Sequence, residues 1–375
     1  MSEFKNLPSG WKVVRLDKVA PLQRGYDLPT NNIKEGLYPV VYSNGILRFH
    51  NEFKAKGPGV ITGRSGTIGK VVYVEEDYWP HNTSLWVTNF YDNNPKFIYY
   101  MYINLNLARF SAGSGVPTLN RNDIHAQTIP LPPLDEQEKI AEILSTWDEA
   151  INLTINLIES KKQFKKALMQ NLLTAKIRFL QFKDEWRETK LSEICDISTG
   201  TSKSRFIGDG KFYIVDMGSI TQDGLLNLTK TTNLSQDFLD CGDLVMPKDD
   251  IGGGKIIGKV AVIDKDNTYV LSDHIFRIKT TENSNFLAYL INSDLINKKI
   301  RREVSGTAQL GLGKRTIENL KIKLPNLKEQ QKIAEVLTTC DDEINLLNLK
   351  LENLKKQKQG LMQKLLSGKV RARYV

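Results

Sequence analysis

The sequence predicts two globular halves, each followed by one long helix, with the helices paired antiparallel as a coiled coil in a pseudo-twofold arrangement. Three observations predict it. Leu134–Leu144 reads LDEQEKIAEIL, and nearly the same line, LKEQQKIAEVL, returns at Leu327–Leu337. Behind each line the apolar residues recur in alternating steps of four and three. In both copies the first half is acidic and the second half basic.

The repeat organises everything else. IPLPPLDEQEKIAEILSTWDEAIN from Ile129 aligns with IKLPNLKEQQKIAEVLTTCDDEIN from Ile322. The match runs without a gap through KKALMQNLLTAKIR and KQGLMQKLLSGKVR. Prolines open each copy, at Pro132 and Pro133 and at Pro325, and an acidic, glutamine-containing turn follows, which suits a helix start near Asp135 and near Lys328. The first stripe runs through Ile140, Leu144, Trp147, Ile151, Ile158, Leu168 and Leu172. The second runs through Ile333, Leu337, Cys340, Ile344, Leu347, Leu351, Leu354, Leu361 and Leu365. Thr154, Lys161 and Lys165 interrupt the first stripe and Lys358 the second, so part of the first seam is expected to face another subunit. A helix of about 40 residues reaches roughly 60 Å and needs a partner along its length.

Charge selects the direction of pairing. Glu136, Glu142, Asp148 and Glu149, and Glu329, Glu335, Asp341 and Asp342, lie early in the two helices. Lys161, Lys162, Lys165 and Lys166, and Lys355, Lys356, Lys358 and Lys364, lie late. Antiparallel pairing sets acid beside base, whereas parallel pairing sets like against like. The competing explanation is that acidic starts and basic ends merely complement the helix dipole.

The segments before the helices share a plan and differ in surface. Trp11 opens WKVVRL and Trp186 opens WRETKL, and a glycine follows at Gly25 and Gly200. TIGKVVYV, ending at Val74, and IIGKVAVI, ending at Ile263, read as turns entering strands. A glycine-rich approach, SAGSGVPTLNRNDIHAQTIPLP or VSGTAQLGLGKRTIENLKIKLP, then leads to each helix. The implied boundaries are 1–130, 131–180, 181–323 and 324–375. Like helices holding unlike globular halves suit a twofold duplex read at two different half-sites across an unread gap.

On these motifs the whole chain resembles the specificity subunit of type I restriction-modification enzymes. The resemblance implies an α/β (α+β) class, with two mixed α/β target-recognition domains, each followed by a helical spacer. It implies double-stranded DNA as the target and two modification (methyltransferase) subunits docked on the coiled coil. Those subunits carry S-adenosylmethionine and methylate adenine N6. A restriction subunit, with motor and nuclease, joins using ATP and Mg2+.

Composition agrees with such partners. The chain of 375 residues carries a net charge of +9, which favours a polyanion, with 40% hydrophobic and 25% charged residues. Its length suits two or three domains. Neither a membrane-spanning run nor the apolar core of a signal peptide is read in the sequence, so no membrane partner and a cytoplasmic location are expected. Cys195, Cys241 and Cys340 are far apart, which suggests neither zinc nor disulfides.

No catalytic residues, bound cofactor or metal are expected of this chain. Gly253–Lys259, GGKIIGK, has P-loop spacing, but Val260 stands where Ser or Thr should follow, so a turn is the better reading. No methyltransferase Asn-Pro-Pro-Tyr motif or nuclease carboxylate set is seen. His50, His81, His125 and His274 are scattered and read as surface or core residues. DNA contacts are expected from Arg24, Tyr26, Arg48, Arg64, Lys70, His81 and Asn82 in the first half. In the second half they are expected from Lys203, Arg205, Lys248, Lys255 and Lys259. Arg301, Arg302, Lys314 and Arg315 form a denser cluster that grips phosphate or ends a helix beginning near Asn285. The rival functions are a coiled-coil scaffold for protein partners without sequence-specific DNA binding, and an enzyme with a hidden site.

Overall fold

The computed structural model describes residues 7–112, 117–251, 253–304 and 310–372. The central parts of both glycine-rich approaches, residues 113–116 and 305–309, lie outside the described residues. The helices are α1 Pro95–Asn104, α2 Arg121–His125, α3 Leu134–Leu172, α4 Ser284–Asn292, α5 Asp294–Arg302, α6 Lys314–Glu318 and α7 Leu327–Leu366. The two long helices begin within a residue of their sequence-based starts.

The chain forms two compact units, Met1–Asn156 with Asn348–Val375, and Leu157–Leu347. Each unit therefore takes half of α3 and half of α7 together with one globular half.

In the first unit a four-stranded antiparallel sheet has the order Leu22–Arg24, Ser84–Val87, Gly59–Gly63, Val71–Val74. A three-stranded sheet places Tyr38–Tyr42 between Gly45–His50 and Trp79–Pro80, the last of these parallel to it. Strand Lys12–Arg15 pairs antiparallel with Thr128–Leu131, directly before α3. The core joins sheet residues Leu22, Val60, Leu85 and Val87 to Phe97, Ile98 and Met101 of α1, and extends to Ile140 and Leu144 of α3 and Leu365 and Leu366 of α7. The helix starts thus belong to the domain core as well as to the seam.

The second unit repeats this plan. Its four-stranded sheet has the order Cys195–Thr199, Ile275–Thr280, Leu244–Pro247, Ala261–Val262. Its three-stranded sheet centres on Phe212–Val215, and Arg187–Lys190 pairs with Lys321–Leu324 before α7. Phe286, Leu287 and Leu290 of α4, Ile333 and Leu337 of α7, and Leu172 of α3 share its core. The predicted single helix near Asn285 is two helices, α4 and α5, broken at extended Ser293.

The repeated line has a structural cause at the atom level. Asn94 caps α1, accepting from Phe97 N at 2.9 Å, and its own N–H donates to Gln137 Oε1 at 3.0 Å. Gln137 Nε2 donates to Pro132 O at 3.0 Å, which locks the start of α3 to the start of α1. Asn283, Gln330 and Pro325 repeat all three bonds at 2.9, 3.1 and 3.0 Å. Both glutamines are buried, so every polar atom needs such a partner.

The preceding glutamates tie helix starts to helix ends. Buried Glu136 accepts from Arg371 at 2.7 Å, from Trp11 Nε1 at 2.9 Å and from Ala372 N at 3.2 Å. Buried Glu329 accepts from Arg178 at 2.9 and 2.7 Å. Burial alone would raise the Glu136 carboxyl, but the bonds from Arg371, Trp11 and the Ala372 N–H outweigh it and hold it below its ordinary value.

Within each unit the helix halves run antiparallel, as the charge pattern predicts. In the first, Arg371 meets Glu136 and Lys358 meets Asp148. In the second, Arg178 meets Glu329, Lys165 meets Asp341 at 2.6 Å and Lys161 meets Glu343 at 2.7 Å. The predicted seam residues are all buried or half-buried. The expectation that Thr154, Lys161 and Lys165 turn part of the first seam toward another subunit is corrected. Both lysines pair with α7, and buried Thr154 donates to Ala150 O at 2.7 Å.

Candidate nucleic-acid interface

Three segments converge at the same place in each unit. In the first unit the end of strand Gly59–Gly63 carries Arg64, whose N–H donates to Thr83 O at 2.8 Å, while its carbonyl accepts from Leu119 N at 2.8 Å. In the second unit Lys248 N donates to His274 O at 3.1 Å, and Lys248 O accepts from Leu312 N at 2.8 Å. Arg64 and Lys248 are therefore equivalent positions, as are Thr83 and His274, and Leu119 and Leu312. The third segment leaves each unit's glycine-rich approach.

The glycines shared by the halves hold this convergence close. A side chain at Gly25 would put its Cβ 2.3 Å from His81 O, and at Gly200 2.5 Å from Leu271 O. Only glycine lets the backbones approach so far. Tyr26 N then donates to Pro80 O at 2.8 Å, and His81 N to Val41 O at 3.0 Å, which Ser272 N repeats on Val215 O at 3.1 Å.

On this common frame the side chains differ. In the first unit Asp27 accepts from both Asn82 Nδ2 and Arg24, the latter at 3.4 Å. His81 stacks on Tyr42 with ring centroids 4.3 Å apart, and its Nδ1 meets Thr83 Oγ1 at 3.0 Å. Burial pushes the His81 imidazole down, so it is neutral near pH 7. Lys70 Nζ reaches Asn44 O at 2.6 Å, beside Gly45. The structure thus brings Arg24, Tyr26, Arg64, Lys70, His81 and Asn82 to one loop cluster. Arg48 stands farther along the outer strand Gly45–His50, opposite Val40.

In the second unit His274 occupies the Thr83 position, with Nδ1 2.7 Å from Asp249 and Nε2 3.7 Å from Asp273. Ser272 Oγ donates to Asp273 at 2.9 Å. Of the five basic residues named from sequence, Lys248 alone lies in this cluster. Lys203 is a structural cation. Its ammonium is buried and donates to Thr201 Oγ1 at 2.6 Å and to Asp237, whose carboxyl it holds below the usual range. Arg205 is exposed on the short turn Ser204–Phe206. Lys255 is exposed in the turn after Asp250, and half-buried Lys259 donates to Asn292 O at 3.4 Å.

That turn also disposes of the P-loop spacing. Gly253, Gly254 and Gly258 adopt positive φ, and strand Ala261–Val262 follows where a phosphate loop requires a helix N-terminus. Asp27, Thr83, Asp249 and Asp273 are not named from sequence, and His274 is read there only as a surface or core residue. Trp11 to Gly25 and Trp186 to Gly200 are equally spaced in the sequence, but Arg64 is set against Lys248 only once the strands are paired.

The arrangement offers donors and acceptors at loop tips on a rigid sheet. Arg, Lys, Asn and His at such tips are the groups that read base edges and grip phosphates, and the carboxylates behind them fix their orientation.

Known proteins match this architecture. The segments 8–160 and 183–356 each match the type I restriction modification DNA specificity domain. The chain is 30% identical over 289 residues to the type I restriction enzyme MjaVIII specificity subunit of Methanocaldococcus jannaschii, covering 70% of this chain and 66% of that one. It is 20% identical over 429 aligned positions to the type I restriction enzyme EcoBI specificity subunit of Escherichia coli, covering 98% and 88%. The crystal structure of the type I restriction-modification system S subunit from M. genitalium shares its fold, with a TM-score of 0.66 at 16% identity over 98% of both chains. With this domain present twice, each copy running into a long helix, the chain belongs to the type I restriction-modification DNA specificity subunit family.

Proposed function

We propose that this chain reads a bipartite, gapped duplex DNA target for a type I restriction-modification system, one unit for each half-site. The observation that carries the reading is the pair of equivalent loop clusters. A shared backbone frame presents Arg64, Asn82 and Asp27 in one unit and Lys248, His274 and Asp249 in the other. Gene duplication that preserved only a scaffold would not require the frame to be kept while its polar tips diverge. On this reading the long helices hold the two readers and dock two adenine-N6 modification subunits, and restriction subunits join that assembly. The chain itself contributes recognition and no catalysis. S-adenosylmethionine belongs to the modification subunits, and ATP with Mg2+ to the restriction subunits.

Mapping N6-methyladenine across the genome of the native host, with and without the gene, tests this. A two-part motif with a fixed gap that disappears on deletion is expected. A purified chain without affinity for duplex DNA, alongside an unchanged methylation map, would leave a protein scaffold as the function.

A further inference from the structure

The second unit carries an α-helix, α5, where the first has a short 3-10 helix, Leu107–Phe110. α5 reads DLINKKIRR and buries Ile296, Asn297 and Ile300, which leaves Lys298, Lys299, Arg301 and Arg302 exposed. At 3.6 residues per turn Lys298, Arg301 and Arg302 share the outward face and Lys299 flanks it. No ion pair joins any of the four to a carboxylate among the described residues.

α5 is seated against the turn that follows strand Asp249–Asp250. Asn297 Nδ2 donates to Gly258 O at 2.9 Å, and a Cβ on Gly258 would fall 2.6 Å from Ile300 Cγ2. A Cβ on Gly254 would lie 3.7 Å from Arg301 Nη2, which puts this guanidinium beside the turn that exposes Lys255. The same turn leads back to Asp249, the partner of His274. The basic face therefore adjoins the second loop cluster.

The first unit fills the equivalent place differently. A Cβ on Gly69, the counterpart of Gly258, would fall 3.4 Å from Ala108, part of the short 3-10 helix Leu107–Phe110. Its one cation, Arg109, lies 4.6 Å over the Phe110 ring and donates to Gln127 at 3.4 Å.

We propose that α5 is a phosphate-gripping face, which gives the second unit a salt-dependent hold on the duplex that the first unit does not build in the equivalent place. This rests on the chain being a duplex-DNA reader. Like charges crowded on one face repel one another, and a polyanion relieves that repulsion. Each cation that neutralises a phosphate releases counterion and adds about 0.9 to the slope of log K against log salt. From Lys298 to Arg302 the helix rises about 6 Å, a span that reaches neighbouring phosphates of one strand.

The test titrates the full chain against a duplex bearing its methylation motif, at several salt concentrations between about 50 and 200 mM. The variant K298Q/K299Q/R301Q/R302Q is expected to flatten the slope by about 3.6 units, about 0.9 for each cation, while K298R/K299R/R301K/R302K keeps it. If the glutamine variant melts early, K298Q/R302Q alone must remove about two units. Salt-dependent binding by the wild type with an unchanged slope in the neutral variants overturns the role of α5 and leaves the reading of the chain intact; a protein surface would then be its partner. Absence of duplex binding by the wild type overturns both.

Discussion

Asp148 of α3 accepts from Lys358 of α7 and, at 2.7 Å, from the hydroxyl of Tyr100 in α1, so one carboxylate joins both long helices to the globular core of the first unit. The second unit repeats the triad, with Asp341 accepting from Lys165 at 2.6 Å and from Tyr289 at 2.7 Å. Each ammonium also lies 5.1 Å from the centroid of its tyrosine ring. Lys165 and Lys358 are half-buried where the stripe calls for leucine, which explains why two seam positions are basic.

Breaking a triad should loosen its own unit. Asp148→Asn is expected to destabilise by about 1 to 2 kcal/mol, and Tyr100→Phe by about 1 kcal/mol. A double-mutant cycle with Lys358→Met should return a coupling of about 1 kcal/mol in denaturant unfolding. Additive effects would show that the pair contributes nothing beyond its separate parts.

The Glu136–Arg371 pair gives a pH dependence of known sign. The folded carboxyl binds a proton less readily than the unfolded one, whose ordinary value is 4.5. Its contribution is therefore complete above that value and is lost as pH falls through the lower folded value. Glu136→Gln should cost about 3 kcal/mol at neutral pH, and the difference from wild type should shrink at about pH 3. Unfolding curves whose separation stays constant between those pH values would contradict this.

The long helices were legible because a heptad stripe, proline starts and opposed charge all point the same way. Glu136 and Gln137 were read only as an acidic first turn, although they are the clamps that fasten α3 to α1 and to the tail of α7. Their partners lie 43 and 235 residues away in the chain, and no local pattern announces such pairs. The division of each helix between two units was hidden for the same reason. Arg64 and Lys248 are named from sequence as basic residues, whereas Asp27 and Asp249 give no signal there, because the amide or imidazole each one holds lies far along the chain. Lys203 misled in the opposite direction, since a buried ion pair and a free cation look alike in sequence.

The loop clusters should govern separate half-sites. Asn82→Ala or Asp27→Ala is expected to relax discrimination in one half-site by about 1 to 3 kcal/mol, and His274→Ala or Asp249→Ala in the other. Competition binding with duplexes altered in one half-site at a time reads this out. A loss shared equally by both half-sites would remove these residues from base reading.

Register ties the helices to the gap. A heptad inserted into α3 alone, after Leu157, cannot keep both Lys358–Asp148 and Lys165–Asp341 in place, so methylation should fall. Matched heptads in α3 and α7 keep both pairs and add about 10 Å of helix. The methylated motif should then show a longer gap. An unchanged gap with full activity would end the role of the helices as a ruler.

Two readers that act independently on one frame can be separated by mapping N6-methyladenine in cells whose chain carries residues 1–130 from a relative with a different motif. One half of the motif is expected to change while the other half and the gap stay as they were. A change in both halves together, or in neither, would contradict it.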